Sequence, residues 1–196
     1  MDIRNILFSN RSFTPIPMVL MIIYFSNPII SYVFYGLFLL IIGESIRMYS
    51  VSYAGGVTRT MNVGAPELCT SGPYSRTRNP LYIGNMLIYL GVVLIAGGEY
   101  LSTLLLIVII YFIFQYSMII SLEEEKLNKL FGNRYEEFCK NVPRIFPRLK
   151  PWKKIDVNKK PLNIKKVIKT EKRTLQNIFL ILLLIFLKDH FIGPIL

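Results

Sequence analysis

Apolar residues in this chain fall into blocks, and polar stretches punctuated by Gly and Pro separate them. A helix needs about 20 mostly apolar residues to cross about 30 Å of hydrocarbon. Residues 28–46, 80–97, 101–120 and 175–187 approach or meet that length, and 16–25 form a shorter fifth run. The pattern predicts one all-α integral membrane domain over 1–196, with about five transmembrane helices. A signal peptide is the alternative for 16–25, but Pro15, Pro17 and Pro28 interrupt that region and no small-residue cleavage pattern follows it.

Local chemistry marks several boundaries. Pro28 can open the second helix in its first turn, and Glu44 and Arg47, three apart near its end, can pair on one face. Residues 50–79 form a connection too long to be a simple turn. Asn79 followed by Pro80 reads as an N-cap with Pro at N1. Ala96-Gly97-Gly98-Glu99 is a hairpin turn, and Gly84 and Gly91, seven apart, fall near one helix face that can take a close neighbour. Glu123-Glu124-Glu125 would oppose the dipole of a helix ending there. The helix is therefore expected to run on past the membrane through Leu127, Leu130 and Phe131 to Gly132. Ser121-x-x-Glu124 has the form of a capping box, and Glu125 and Lys129 form an i, i+4 pair. Residues 134–147 are amphipathic and end at Pro143 and Pro147; Trp152 suits the interface, and a basic linker over 148–173 leads to a last span at 174–190.

Composition agrees with the pattern: 53% of the 196 residues are hydrophobic and the mean hydropathy is +0.44. Charge adds direction. Of the Lys and Arg residues, two precede the first run, four lie between Arg47 and Arg78, sixteen lie from Lys126 to Arg173, and one is Lys188. Positive loops stay cytoplasmic, so the counts fit a multi-pass chain with its N-terminus inside, five crossings and its C-terminus outside. The net charge of +11 also raises nucleic-acid binding, but no basic domain interleaved with aromatics is present to read bases. Lys153, Lys154, Lys159, Lys160, Lys165, Lys166, Lys169, Lys172 and Arg173 fit anionic lipid headgroups instead. Cys69 and Cys139 have no metal-ligand spacing. His190, the only histidine, reads as a polar anchor at the outer end.

Two segments carry candidate chemistry, 70–91 and 121–147. Tyr74, Arg76, Arg78 and Tyr82 crowd a helix N-terminus whose free N–H groups attract anions. Positive-inside anchoring of the arginines and an aromatic belt of tyrosines explain the same residues equally well. Pairing and capping leave Glu123 least accounted for, nearest the bilayer and on the face shared with Leu127, Leu130 and Arg134. An acid there is costly unless it faces a cavity or a cation.

Read together, the segments resemble the integral membrane methyltransferases typified by isoprenylcysteine carboxyl methyltransferase and phospholipid N-methyltransferase. The matching residues are Gly72-Pro73-Tyr74, Arg78-Asn79-Pro80-Leu81-Tyr82, Glu123-Glu124, Leu127, Phe131-Gly132, Tyr135 and Val142-Pro143, within a stretch of 47–147. The resemblance implies S-adenosylmethionine as methyl donor and cytoplasmic loops that form its pocket. By the same resemblance Leu68, Tyr74, Arg78, Asn79, Pro80, Leu81, Tyr82 and Glu123 contact the donor, and Glu123, Glu124 and Arg78 are the catalytic candidates. Helix N–H groups and Arg78 suit the donor's carboxylate, Glu123 its cationic part and the tyrosines its adenine. The acceptor is expected to be lipophilic and membrane-embedded, a carboxylate or an amine. Two positions depart from the family pattern. Asn79 replaces a histidine, and Ile119 stands where the prenylcysteine enzymes hold their substrate carboxylate with an arginine. A sterol-reductase-like enzyme using NADPH and a non-catalytic, lipid-organising membrane protein are the alternative readings.

Overall fold

The computed structural model describes residues 2–55, 64, 66–153 and 161–193. Gly56, Val63 and Ala65 of the long connection, and Lys154, Lys159 and Lys160 of the basic linker, lie outside the described residues. Among the described residues the order is α1 (Ile3–Ser9), α2 (Ile16–Tyr24), α3 (Ile30–Ala54), a 3-10 turn (Gly72–Ser75), α4 (Pro80–Ala96), α5 (Leu101–Phe131), α6 (Asn133–Asn141) and α7 (Ile164–Ile192). Helices α3, α5 and α7 are long and apolar enough to cross a membrane, and α4 is a shorter apolar helix. Phe34, Phe38, Ile110, Ile113, Phe179 and Phe191 stand exposed on the outside of the bundle. Outward apolar surface of this kind is what lipid requires. The chain is an all-α membrane protein.

The shortest predicted run gives the least regular element. Helix α2 has nine residues, about 13 Å at 1.5 Å per residue, less than half a bilayer core. Pro15 and Pro17 bound its start, and a turn separates it from α1. Pro28 does not open the next helix, which begins at Ile30 after Ile29 in an extended conformation. Asn27 is held in a bridge to Gly97, its N–H donating to Ala96 O at 2.7 Å, so the chain stays extended through Pro28. Helix α7 starts at Ile164, ten residues ahead of the predicted span. Asn163 caps it by accepting from the Lys165 N–H at 3.0 Å, and the basic residues 165–173 are thus helical.

Helices α3 and α4 pack through glycines. A Cβ at Gly91 would lie 2.6 Å from Gly36 O and 2.9 Å from Leu40 N, and one at Gly84 would lie 2.8 Å from Gly43 O. The seven-residue spacing on α4 meets an equal spacing on α3, so the backbones themselves touch. Gly91→Ala weighs two effects: Ala gains about 1 kcal/mol of helix propensity over Gly, and overpacking costs about 1–3 kcal/mol. The obstructing atoms are backbone and cannot turn aside, so a melting point in detergent several degrees below the parent is expected. A higher one would contradict the packing.

Both ends of the bundle are defined by contacts. At one end Lys188 Nζ donates to Ser26 O at 2.5 Å beside the Asn27–Gly97 bridge. At the other, Arg4 of α1 pairs with Glu125 of α5 at 3.1 Å. Between them Gln115 Nε2 donates to Thr14 Oγ1 at 2.6 Å. The N-terminal segment therefore runs along α5 with its break at mid-height, where the buried Gln115 receives a polar partner.

Candidate functional site

The connection from α3 to α4 is ordered where it meets α6. Gly72 has φ +60 and lies flat on Tyr53, and a Cβ there would be 2.5 Å from Tyr53 Cδ2. Beyond the 3-10 turn, residues 75–79 are laced to the stretch after α6. Arg78 N–H donates to Pro143 O at 2.9 Å, the Thr77 hydroxyl to Ile145 O at 2.9 Å, and Trp152 N–H to Ser75 O at 2.9 Å. Leu68 joins the same contact, packed with Phe131 and Trp152 against Tyr135, Phe138 and Val142. The two segments that carry the candidate chemistry thus form one body.

Asn79 departs from its expected role. Helix α4 does start at Pro80, but Asn79 makes no side-chain cap; its Nδ2 donates to Arg144 O at 3.0 Å. The competing acceptor wins because the chain after Pro143 runs directly beside it. The first turn of α4, with buried Pro80 and half-buried Leu81 and Tyr82, keeps N–H groups without a side-chain cap.

Helix α5 runs without a break through Glu123, Glu124 and Glu125 to a Gly132 at φ +48. Ser121 lies inside it and donates to Met118 O at 2.8 Å, so Ser121 and Glu124 form no capping box. Arg134 belongs to α6, beyond the helix end. Glu125 pairs with Lys129 at 2.6 Å. Glu124 is held from two sides, by Arg78 Nη2 at 3.2 Å and Arg144 Nη2 at 3.0 Å. Arg78 also donates to Cys139 Sγ, while its buried Nε has no hydrogen-bond partner.

Tyr82 of α4 packs against Ile119 and Leu122 of α5, which sets its ring beside the half-buried Glu123. The Tyr82 ring stacks on Tyr116 at 4.6 Å. Burial first, then Cys69 and Glu123, push the Tyr74 phenol well above its ordinary value, and burial and Glu124 do the same to Tyr135. Both remain neutral phenols at any physiological pH, able to hydrogen-bond but not to act as phenolate bases. Arg78, Tyr82, Glu123 and Glu124 are thus brought together, with Tyr74 close enough to feel Glu123, whereas Leu68 lies on the α6 side. An open cleft of about 300 Å³ borders the cluster, lined by Glu124, Glu125, Asn128, Tyr135, Glu136 and Cys139.

Sequence reading missed a second polar cluster. Arg47 Nη2 binds Glu171 of α7 at 2.6 Å and Thr174 at 3.2 Å, its Nη1 donates to Asn85, and its Nε lies 3.7 Å from Glu44. The expected Glu44–Arg47 pair is present, but as the longer of two ion pairs. Asn85 in turn lies near Tyr116, which stacks on Tyr82. The only sequence signal was Glu171 as a lone acid in a basic stretch.

Among the described residues no three His, Cys, Asp or Glu side chains come together to hold a metal ion. Comparison with known proteins places these elements. The family model described as phospholipid methyltransferase matches residues 31–134, which covers α3, the α4 start and both acidic positions. The nickel-cobalt-cadmium resistance protein NccN of Alcaligenes xylosoxydans xylosoxydans is 31% identical over 103 residues, 53% of this chain and 44% of that protein. A protein-S-isoprenylcysteine O-methyltransferase of Schizosaccharomyces pombe is 36% identical over 80 residues, 41% of this chain and 33% of that protein. The matched segment spans less than half the length of either relative, and no solved structure matches significantly. With the Arg-Asn-Pro-Leu-Tyr helix start set against the Glu-Glu pair of α5 and over half the chain within the family model, the chain belongs to the phospholipid methyltransferase family.

Proposed function

We propose that the protein transfers a methyl group from S-adenosylmethionine to a lipophilic acceptor in the bilayer, a carboxylate or an amine. The observation that carries this reading is the contact between its two walls: Tyr82 of α4 packed on the α5 turn that leads into Glu123, and Arg78 paired with Glu124. The side chains present fit the donor. Arg78, with a buried Nε to spare, and the uncapped first turn of α4 suit a carboxylate. Glu123 suits a cation, and Tyr74 and Tyr82 an aromatic base.

When bound, S-adenosylmethionine supplies a methyl group activated by a sulfonium. What the chain supplies is alignment and exclusion of water. Arg78 binds a ligand carboxylate by exchanging it for Glu124, which keeps Arg144 as its partner. An amine acceptor has a proton to lose, and Glu123 or Glu124 is placed to accept it; a carboxylate acceptor needs no base.

Among the described residues, Arg4, Arg76, Arg78, Lys126, Lys129 and Arg144 lie at the end of the bundle that carries this cluster, while the other end has Lys188. On the positive-inside rule the cluster faces the cytoplasm, the chain crosses five times with a broken first span, and the C-terminus is outside. The exposed cations Lys165, Lys166, Lys169, Lys172 and Arg173 of α7 then lie at the level of anionic headgroups.

The test is to incubate detergent-purified protein with radiolabelled S-adenosylmethionine and a panel of lipids, quinone-like compounds and prenylated thiols. Label is expected in a lipid-soluble fraction. Saturable binding of NADPH with none of S-adenosylmethionine would favour the reductase alternative and overturn this reading.

A further inference from the structure

Helix α7 lies beyond the segment the family model matches, which ends at residue 134, and it is longer than a bilayer requires. Its 29 residues measure about 43 Å against about 30 Å of hydrocarbon. Lys188 holds its far end on Ser26 O, so the surplus falls on the first turns, where Lys165, Lys166, Lys169, Lys172 and Arg173 are exposed. Ile164 and Ile168 are exposed among these cations.

A cleft lies beside them. The chain ahead of α7 is tied to the last turn of α3 by the Leu162 N–H, which donates to Ser52 O at 2.7 Å. Met48, Tyr49 and Ser52 of α3 face Leu162, Ile164 and Val167 across about 300 Å³ of open space. The Ser52 hydroxyl donates to Tyr49 O at 2.7 Å and is satisfied within α3, so the lining is apolar. One turn deeper Arg47 of α3 binds Glu171 and Thr174 of α7 and closes the floor. On α7, Ile164, Ile168 and Lys172 are four apart and share one flank, with Lys165 beside them. Lys166 and Arg173 fall on the opposite flank.

We propose that this cleft is a docking site for one anionic phospholipid, with an acyl chain against Met48, Tyr49, Ile164 and Ile168 and the phosphate on Lys165 and Lys172. Charge and depth select this occupant. An apolar wall and a cationic rim lie together at the level where headgroups give way to hydrocarbon, and each cation there strengthens binding of an anionic lipid about fivefold. A cleft of this volume is at the small end of ligand sites, enough for the upper part of one chain and not for a whole lipid. A soluble anion would leave the apolar wall bare, and a zwitterionic lipid would gain little from the rim. The cleft shares no residue with the Arg78–Glu124 cluster, so the proposal stands apart from the methyl-transfer reading.

The test uses full-length protein in detergent, titrated with dioleoyl phosphatidylglycerol or dioleoyl phosphatidylcholine. Bound lipid is counted by native mass spectrometry and stability is read by thermal unfolding. One phosphatidylglycerol is expected to be retained about tenfold more tightly than phosphatidylcholine and to raise the melting point. Ile164→Asp sets a carboxylate at the cleft mouth, in the first turn of α7 where an acid suits the helix. It should weaken phosphatidylglycerol binding about tenfold without lowering the lipid-free melting point. Lys165→Gln with Lys172→Gln should weaken it as far, while Lys166→Gln with Arg173→Gln, an equal change of charge on the other flank, should stay within about twofold of the parent. Glycerol phosphate, which has the head without the chain, should leave the melting point unmoved. The proposal is overturned if phosphatidylcholine binds as well, if Ile164→Asp binds like the parent, or if the two double variants lose equally, the mark of diffuse attraction to surface charge only. A glycerol phosphate shift equal to that of the lipid would overturn it too.

Discussion

Glu123→Gln is expected to weaken S-adenosylmethionine binding about 10–100-fold, the worth of one charge-assisted contact. Turnover at low donor concentration should fall at least as far. The substitution keeps size and packing, so the α4–α5 interface and the melting point should be unchanged. What is lost is the negative charge beside Tyr82. Tyr82→Phe removes one hydroxyl beside the site and leaves the charge, so its loss should be the smaller of the two. Equal binding and turnover in the parent and Glu123→Gln, measured on purified protein, would remove Glu123 from the site.

Arg47→Met is expected to have the largest effect on stability. It takes the guanidinium away from Glu171, fully buried, and from Glu44, 7% exposed. Removing one member of a buried ion pair costs about 3–5 kcal/mol, because a desolvated charge is left behind. In a chain of this size that corresponds to roughly 10 °C in melting point. Replacing both partners, in Arg47→Met with Glu171→Leu, should regain much of the loss, since apolar packing often serves as well as a buried pair. A parent-like melting point for Arg47→Met would show that the cluster contributes nothing to docking α7. Asn85, held by Arg47, lies near Tyr116, whose ring stacks on Tyr82 beside the α5 turn before Glu123, so ligand binding should also be read in both variants.

The elements set by near neighbours were legible in the chain. The α4 start at Pro80, the α5 end at Gly132 and the Glu125–Lys129 pair follow from residues at most four apart. The glycine spacing of α4 foretold a close neighbour, though not that Gly36 and Gly43 of α3 would supply it. The pattern quoted around Arg78 and Glu123 named residues of two segments, and the fold brings those segments into contact at Arg78–Glu124 and where Tyr82 packs on Leu122. Where a distant partner competed, local reading failed. Asn79 left its own helix for Arg144 O, sixty-five positions away, and Ser121 was absorbed into a continuous helix.

The sequence by itself determined that the chain is helical and membrane-embedded, because lipid forces each apolar stretch to satisfy its backbone internally, and it determined which residues head α4 and tail α5. Only the tertiary structure decided what each charge meets. Arg47 chose Glu171 over the nearer Glu44, and Arg4 of α1 came to pair with Glu125 of α5. The energy of a buried charge depends on the partner that three-dimensional packing delivers, and separation along the chain carries no information about that partner.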